Sequence, residues 1–483
     1  MKRLWSALLA FVCMAVACGA MVGCGRKEER TRYEIVAEYR PSDCALTGTV
    51  KVDFYNASDV EFDCLKFNLY ANAYREDALY APVAPSCYDA AYYAGESYGG
   101  MQITSVSGVK QWDVGGEDKN SLFAYLEEPV YPGERVVLDV GFSTKLAAVN
   151  HRAGVTAQTV NLGGCIPLLC GIEENTFVEC VYENIGDPFV SDCADFTVHI
   201  TVPKEYTLAA TGVEVEEKIL ESKKRHTMYA SNVRDFAFVL SDSLKKAEGT
   251  VGQTKVQYYY LQDDCPLESV AFLQTLIAFY TAQFGEYPYP SFSLVQTALC
   301  MDSAEYPMLS MVSSSLSGEE LLCVLAHEVA HQWWYAAVGT HQITQAWQDE
   351  GLAEFSALHF FEKHSEYGVS GGTLLQNSLQ VYQDYRRVYE SALGWVDHRM
   401  SRPLSEYASE YEYHAIAYDR SVMMWDTLRA AIGEKKLLLG LRTYYAENKG
   451  KRAMPSHLVG AFERIGVDLH GFFEGYLLGK GTL

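Results

Sequence analysis

The stretch LAHEVAHQWWY, residues 325–335, sets His327, Glu328 and His331 in the order H-E-x-x-H. On a helix, residues four apart lie on one face, so the two imidazoles point the same way and the carboxylate stands beside them. Two such nitrogens can hold a zinc ion, and an adjacent Glu can serve its open side as a base. Three residues at this spacing also arise by chance, so the surroundings have to decide. Hydrolytic zinc needs a third protein ligand and a position left for water. Glu350, with eighteen residues between it and His331, stands in AWQDEGLAEFSALHFF, where Leu352, Phe355 and Leu358 form an apolar face that can pack its helix on the first.

These side chains need helices to hold them. GEELLCVLA runs into the first His without a breaker, so a buried helix is expected over residues 318–337. Glu350 is expected to open the next helix, 349–366, after the turn-prone VGTHQITQ. Further helical patterns cover 371–391, 416–432, 434–447 and 455–466. PLESVAFLQTLIAFYTAQFG is a long helix opened by Pro and closed by Gly, and TKVQYYYLQ and SFSLVQTAL are strands. EYPMLSMVSSS is a short extended segment. From about 31 to 248 the pattern differs. TGTVKVDFYN, ERVVLDVGFST and DFTVHITVP alternate apolar and polar residues between Gly, Pro, Asn and Asp, which describes strands and turns. The expected organisation is an all-β N-terminal domain, 31–248, joined to an α+β domain, 249–483, that carries the metal motif.

The 483 residues suffice for several sizeable cores, and 49% hydrophobic with 21% charged residues describes a globular chain. Lys and Arg number 39 against 62 Asp and Glu, a formal net charge of −23, which argues against nucleic acid as a partner. The N-terminus, MKR followed by LWSALLAFVCMAVACGAMVGCG, has the basic start and apolar run of an export signal. MVGC at 21–24 resembles a bacterial lipoprotein box, which makes 1–24 the signal and Cys24 the lipidated residue. AVAC ending at Cys18 is a weaker rival, and a retained anchor or plain secretion are the other readings. Each places the body outside the cytoplasm, where disulfides are permitted, and ten of the thirteen Cys lie beyond Cys24. Pairing and burial as thiols are equally compatible with their spacing.

HEVAHQWW with WQDEGLAEF resembles the M1 family of zinc aminopeptidases, gluzincins with a thermolysin-like catalytic domain. FNLYANAYRED and HTMYASNVRDFAFVLSD are similar to segments of that family's saddle-like N-terminal β sandwich, and FGEYPYPSF to the turn that opens its catalytic domain. The resemblance covers roughly residues 31–480. It implies one zinc ion held by His327, His331 and Glu350, with Glu328 as general base and proton shuttle. Glu354, one turn past Glu350, would orient a ligand His. YHAIAYDRSVMMWDTLRAAIG, 413–433, resembles the segment whose tyrosine stabilises the oxyanion, which puts Tyr418 in that role. There Ser421 follows Arg420 where the family usually has Gly. MDSAEYPMLS, 301–310, aligns with the family's G-x-M-E-N strand and makes Glu305 the anchor for a substrate's free α-amine. An extended segment there could also pair with a substrate backbone. The family's second amine contact has no match.

The resemblance implies a metallo-aminopeptidase of peptides with a free N-terminus, in a short form without the family's large C-terminal helical domain and so with a more open cleft. An endopeptidase, or a hydrolase of peptide-like compounds, keeps the same chemistry. A non-catalytic binding protein on a peptidase fold is the third reading, disfavoured because ligands and base are all present. His341, His359 and His414 are expected to be structural or solvent-exposed. Side-chain preference and oligomeric state are not written in any run of residues.

Overall fold

The computed structural model describes residues 29–480; the signal segment with Cys18 and Cys24 lies outside them. The first half is built of sheets. A seven-stranded sheet runs in the order Val213–Leu220, Lys223–Val233, Ala194–Pro203, Arg32–Arg40, Ala45–Tyr55, Arg135–Lys145, Gly100–Ser107. Within it Arg32–Arg40 pairs parallel with Ala194–Pro203 and antiparallel with Ala45–Tyr55. The alternation read in the sequence is the burial pattern: Tyr33, Ile35, Ala37 and Tyr39 point inward, Glu34 and Val36 are exposed and Glu38 is half-buried. Two four-stranded sheets pack with it, and the largely irregular stretch 163–193 returns the chain to the seven-stranded sheet at Ala194–Pro203.

The second half opens with a five-stranded sheet of β1 (Lys245–Val251), β2 (Thr254–Tyr260), β3 (Ser291–Thr297), β4 (Ser303–Tyr306) and β5 (Leu309–Ser313), in the order β1-β2-β3-β5-β4. The boundary expected at 248/249 falls inside β1, which forms a hairpin with β2, so the division comes before Lys245. Alternation alone does not tell which sheet a strand joins. EYPMLSMVSSS forms two strands rather than one extended segment: β4 and β5 fold back through Met308 at φ +63°. β4 is the antiparallel edge strand, and it faces the helices.

Between β2 and β3 lies α1 (Pro266–Phe284), with Pro in its first turn and Gly285 at φ +127° just past its end. α2 (Gly318–Ala330) carries Glu319 and Glu320 in its first turn, suited to the positive end of the helix dipole. It ends earlier than the expected 337. Trp333, Trp334 and Tyr335 are all buried, and the two indoles bond in different directions, Trp333 Nε1 to Gly285 O and Trp334 Nε1 to Ser356 Oγ, each at 2.9 Å. A continuing helix could not deliver them there, and Tyr335 turns the chain at φ +141°.

α3 (Gln342–Lys363) starts before the expected 349 and bends at Gln345, φ −133° and ψ 37°, so Glu350 lies within the helix rather than at its start. The turn-like residues ahead of it are buried and bonded: Thr340 Oγ1 donates to Asp349 Oδ2 at 3.1 Å, and Gln342 Nε2 to Glu305 Oε1 at 3.1 Å. α4 (Gly371–Leu393) follows, capped by Ser370 and closed by Gly394 at φ +76°. A π-helix, His414–Arg420, then leads without a break into α5 (Ser421–Ile432). α6 (Glu434–Asn448), α7 (Pro455–Arg464) and α8 (His470–Leu477) complete the chain described. The last was not expected, because it is short and holds two glycines.

One hydrophobic core runs from Tyr33 in the first sheet to Tyr476 in α8. The ten described cysteines are all free thiols, with Cys165, Cys170 and Cys180 buried. Among the described residues no helix is long and apolar enough to cross a membrane.

Candidate metal centre

α2 presents His327 and Glu328 from its last turn, and His331 follows at its C-cap with helical angles, φ −61° and ψ −16°. The two imidazoles therefore keep the one-face geometry although the helix stops between them. α3 packs across α2 and brings Glu350 against both. Glu350 Oε2 lies 3.2 Å from His327 Nε2 and 3.3 Å from His331 Nε2, and the two nitrogens are 2.8 Å apart. A tetrahedral zinc with bonds of about 2.0–2.1 Å has ligand–ligand edges of about 3.3 Å, so this donor set is of the right size. Glu328 Oε2 is buried and accepts no hydrogen bond, and Glu350 Oε2 is buried with the two imidazole nitrogens facing it. Orphaned carboxylate oxygens are costly unless a cation meets them. Among the described residues the only Lys or Arg lining this cleft is Arg152, and it is paired with Asp187. The residues fit a bound divalent metal.

The far nitrogens of both rings are held. His331 Nδ1 donates to the Trp334 carbonyl at 3.0 Å, and His327 Nδ1 lies 2.8 Å from Glu354 Oε1. In both rings Nε2 faces the shared centre, and the bond to the Trp334 carbonyl fixes the His331 tautomer. Burial and His331 both favour neutral His327, yet the contacts with Glu350 and Glu354 outweigh them and lift its pKa to about 10. Burial pushes the Glu328 carboxyl above its usual range, against the pull of His331, His327 and Ser303.

The cleft around this centre has a volume of about 440 Å³. Tyr418, in the π-helix, lines it with its ring nearly parallel to that of His327, centroids 5.8 Å apart and planes at 12°. Burial first, and Glu350 second, raise its hydroxyl well above the usual phenol value, so it stays a donor. Glu305 enters from edge strand β4, its oxygens within 4.8 Å of the donor atoms of His331 and Glu350. Burial pushes its carboxyl well up, and Asp187 adds to the effect.

The structure thus brings His327, Glu328, His331, Glu350, Glu305 and Tyr418 to one cleft. Sequence reasoning missed His151, Arg152, Tyr182 and Asp187, which line the same cleft from the first half. They come from irregular segments with no periodicity, and Gly186-Asp187-Pro188 reads only as a turn. His341 is buried with Nε2 3.3 Å from Glu173, and His359 is buried in the core. His414 is exposed at the cleft, its ring 4.7 Å from Tyr418.

An edge strand above a two-helix His-His-Glu cluster, joined to a β-rich first half, is the fold seen in two-domain M1 zinc metallopeptidases. Residues 277–476 match the model of the Peptidase family M1 domain. The chain superposes on the M1 zinc metallopeptidase of Deinococcus radiodurans with a TM-score of 0.63, 18% identity and coverage of 94% of this chain and 95% of that one. A mutant of that protein bound to a Tyr-Ser-Ala substrate gives 0.64, 17%, 94% and 95%. Among curated proteins, aminopeptidase N of Haemonchus contortus is 25% identical over 162 residues, 32% of this chain and 16% of that protein. Aminopeptidase N of Lactococcus lactis subsp. lactis is 24% identical over 176 residues, 36% of this chain and 20% of that protein. The matched segments span a fifth or less of these curated relatives.

Proposed function

We propose that this protein is a zinc-dependent aminopeptidase that removes N-terminal residues from peptides, using one ion held by His327, His331 and Glu350. The observation that carries the reading is the convergence of those three donors beside Glu328, whose buried Oε2 has no hydrogen-bond partner. Zinc, when bound, supplies Lewis-acid polarisation of the scissile carbonyl and acidifies a water. Glu328 takes the proton of the attacking water and returns it to the leaving amine. The Tyr418 hydroxyl donates to the oxygen on which negative charge develops. Glu305, on edge strand β4, pairs with the substrate's α-ammonium, while the backbone of β4 receives the first residues of the peptide as an added strand. Gln342 Nε2 holds the Glu305 carboxylate in place from α3.

The resemblance of the first 24 residues to an export signal supports a position outside the cytoplasm, attached to the membrane by a lipid at Cys24.

The decisive experiment is hydrolysis of aminoacyl amides by residues 25–483, each with a free and an acetylated amine, with and without a zinc chelator. Chelator-sensitive cleavage of the free-amine set alone is expected. Cleavage of the acetylated set would replace the aminopeptidase with an endopeptidase. Zinc binding with no cleavage of either would leave a binding protein. Tyr418→Phe is expected to lower kcat by about 10²–10³-fold with KM little changed, as for the loss of one oxyanion donor. An unchanged kcat would remove Tyr418 from the reaction.

A further inference from the structure

α3 carries Glu350, the π-helix carries Tyr418, and α3 meets the junction of the π-helix with α5 at Gly351, with no room against Ser421. A Cβ on Gly351 would lie 2.4 Å from Ser421 Cβ and 3.6 Å from the Ala417 carbonyl oxygen. Carbon atoms in contact sit about 3.5–4.0 Å apart, so one added methyl would push the two elements apart by about 1 Å. Ser421 is fully buried, and its Oγ donates to Ile416 O, five residues back, at 3.2 Å. That bond spans the residues of the π turn that holds Tyr418. On the far side the Arg420 guanidinium lies between the rings of Tyr382 and Tyr476, 5.2 and 5.1 Å from their centroids, and donates to the Tyr382 hydroxyl. The π-helix is therefore gripped from both sides, and on the α3 side the grip falls on the residue next to Glu350.

We propose that Gly351 and Ser421 are a positioning pair for the reaction, whose contact sets the distance of the Tyr418 hydroxyl from the centre built on Glu350. The inference rests on the zinc-hydrolase reading given above. Misplacing a reacting group by about 1 Å can cost about 10²-fold in rate, so the contact is tuned at the scale that matters.

The test uses the zinc-loaded full body with Gly351→Ala, Ser421→Gly and the double variant, reading kcat, KM and bound zinc. Gly351→Ala is expected to keep its zinc and its KM within about twofold while kcat falls by about 10²-fold. Adding Ser421→Gly removes the opposing carbon and is expected to restore kcat by about tenfold or more. In the Gly351→Ala background, Tyr418→Phe should cost little further, because the two changes act on one interaction. If Gly351→Ala does not fold, the double variant carries the test: it must fold, hold zinc and turn over. A wild-type kcat for Gly351→Ala overturns the proposal, as does a loss that tracks lost zinc or one that Ser421→Gly does not relieve. If the unmodified protein shows no chelator-sensitive turnover, the hydrolase reading falls instead. Crystal structures of the zinc-loaded variants then decide the contact. Gly351→Ala must move the Tyr418 hydroxyl away from Glu350 and the double variant must bring it back; an unmoved hydroxyl overturns the pairing.

Discussion

Glu328→Gln is expected to bind zinc as the unmodified protein does and to turn over substrate about 10²–10⁴-fold more slowly, the range for loss of a general acid–base group. The amide fills the space of the carboxylate, so the buried end of α2 keeps its packing, and neither metal-facing His is touched. What is lost is the proton acceptor. An amide cannot take a proton from water near neutral pH, and it cannot hand one to the leaving amine. Unlike Glu350, Glu328 Oε2 has no imidazole within salt-bridge distance, so its removal leaves the three-donor set intact. Zinc analysis beside steady-state kinetics separates the two. Turnover near that of the unmodified protein would take the base role from Glu328, and loss of zinc would make it a ligand.

His331→Ala is expected to abolish chelator-sensitive activity by removing the metal. His331 is the most deeply set of the three donors, with Nε2 3.3 Å from Glu350 and Nδ1 fixed by the Trp334 carbonyl. Alanine there leaves one imidazole and one carboxylate, too few to hold zinc at ordinary concentrations. It also leaves Glu350 with His327 as its only partner in a buried site, so thermal stability should fall as well. Dialysis against trace zinc followed by metal analysis checks the first effect, and a thermal scan the second. Retention of stoichiometric zinc would mean that the third ligand comes from elsewhere, with Glu305 the nearest carboxylate to examine.

The candidate metal donors stand out in the sequence because they lie close together: i and i+4 on one helix, then a carboxylate on the next. Glu305 and Tyr418 have no such local signature, and only the resemblance of their surrounding segments pointed to them. The first-half lining was illegible for a physical reason. Arg152 and Asp187 form a buried pair across 35 positions of irregular chain, and nothing in their neighbours' polarity marks them as cleft residues. The overrun of the first helix to 337 has a related cause. Apolar periodicity counts Trp333, Trp334 and Tyr335 as helix-compatible, but their partners, Gly285 O and Ser356 Oγ among them, lie on two other elements, and no local pattern announces those contacts. The β alternation of the first half was readable strand by strand, whereas the assignment of Lys245–Val251 to the second sheet depended on a hairpin partner downstream.

The core that joins Tyr33 to Tyr476 has a consequence for how this protein could be cut or recombined. Two halves that read as separate modules share their interior, and Gly163 of the first packs so tightly on Tyr306 of the second that a Cβ there would meet the phenol oxygen at 1.9 Å. The metal-binding half, excised alone, would present to water the surface that the first half now covers, including the wall behind its own edge strand. A graft of that half onto a foreign β partner would need the partner's contour as well as its fold. In this chain the unit of inheritance is the pair, not the motif.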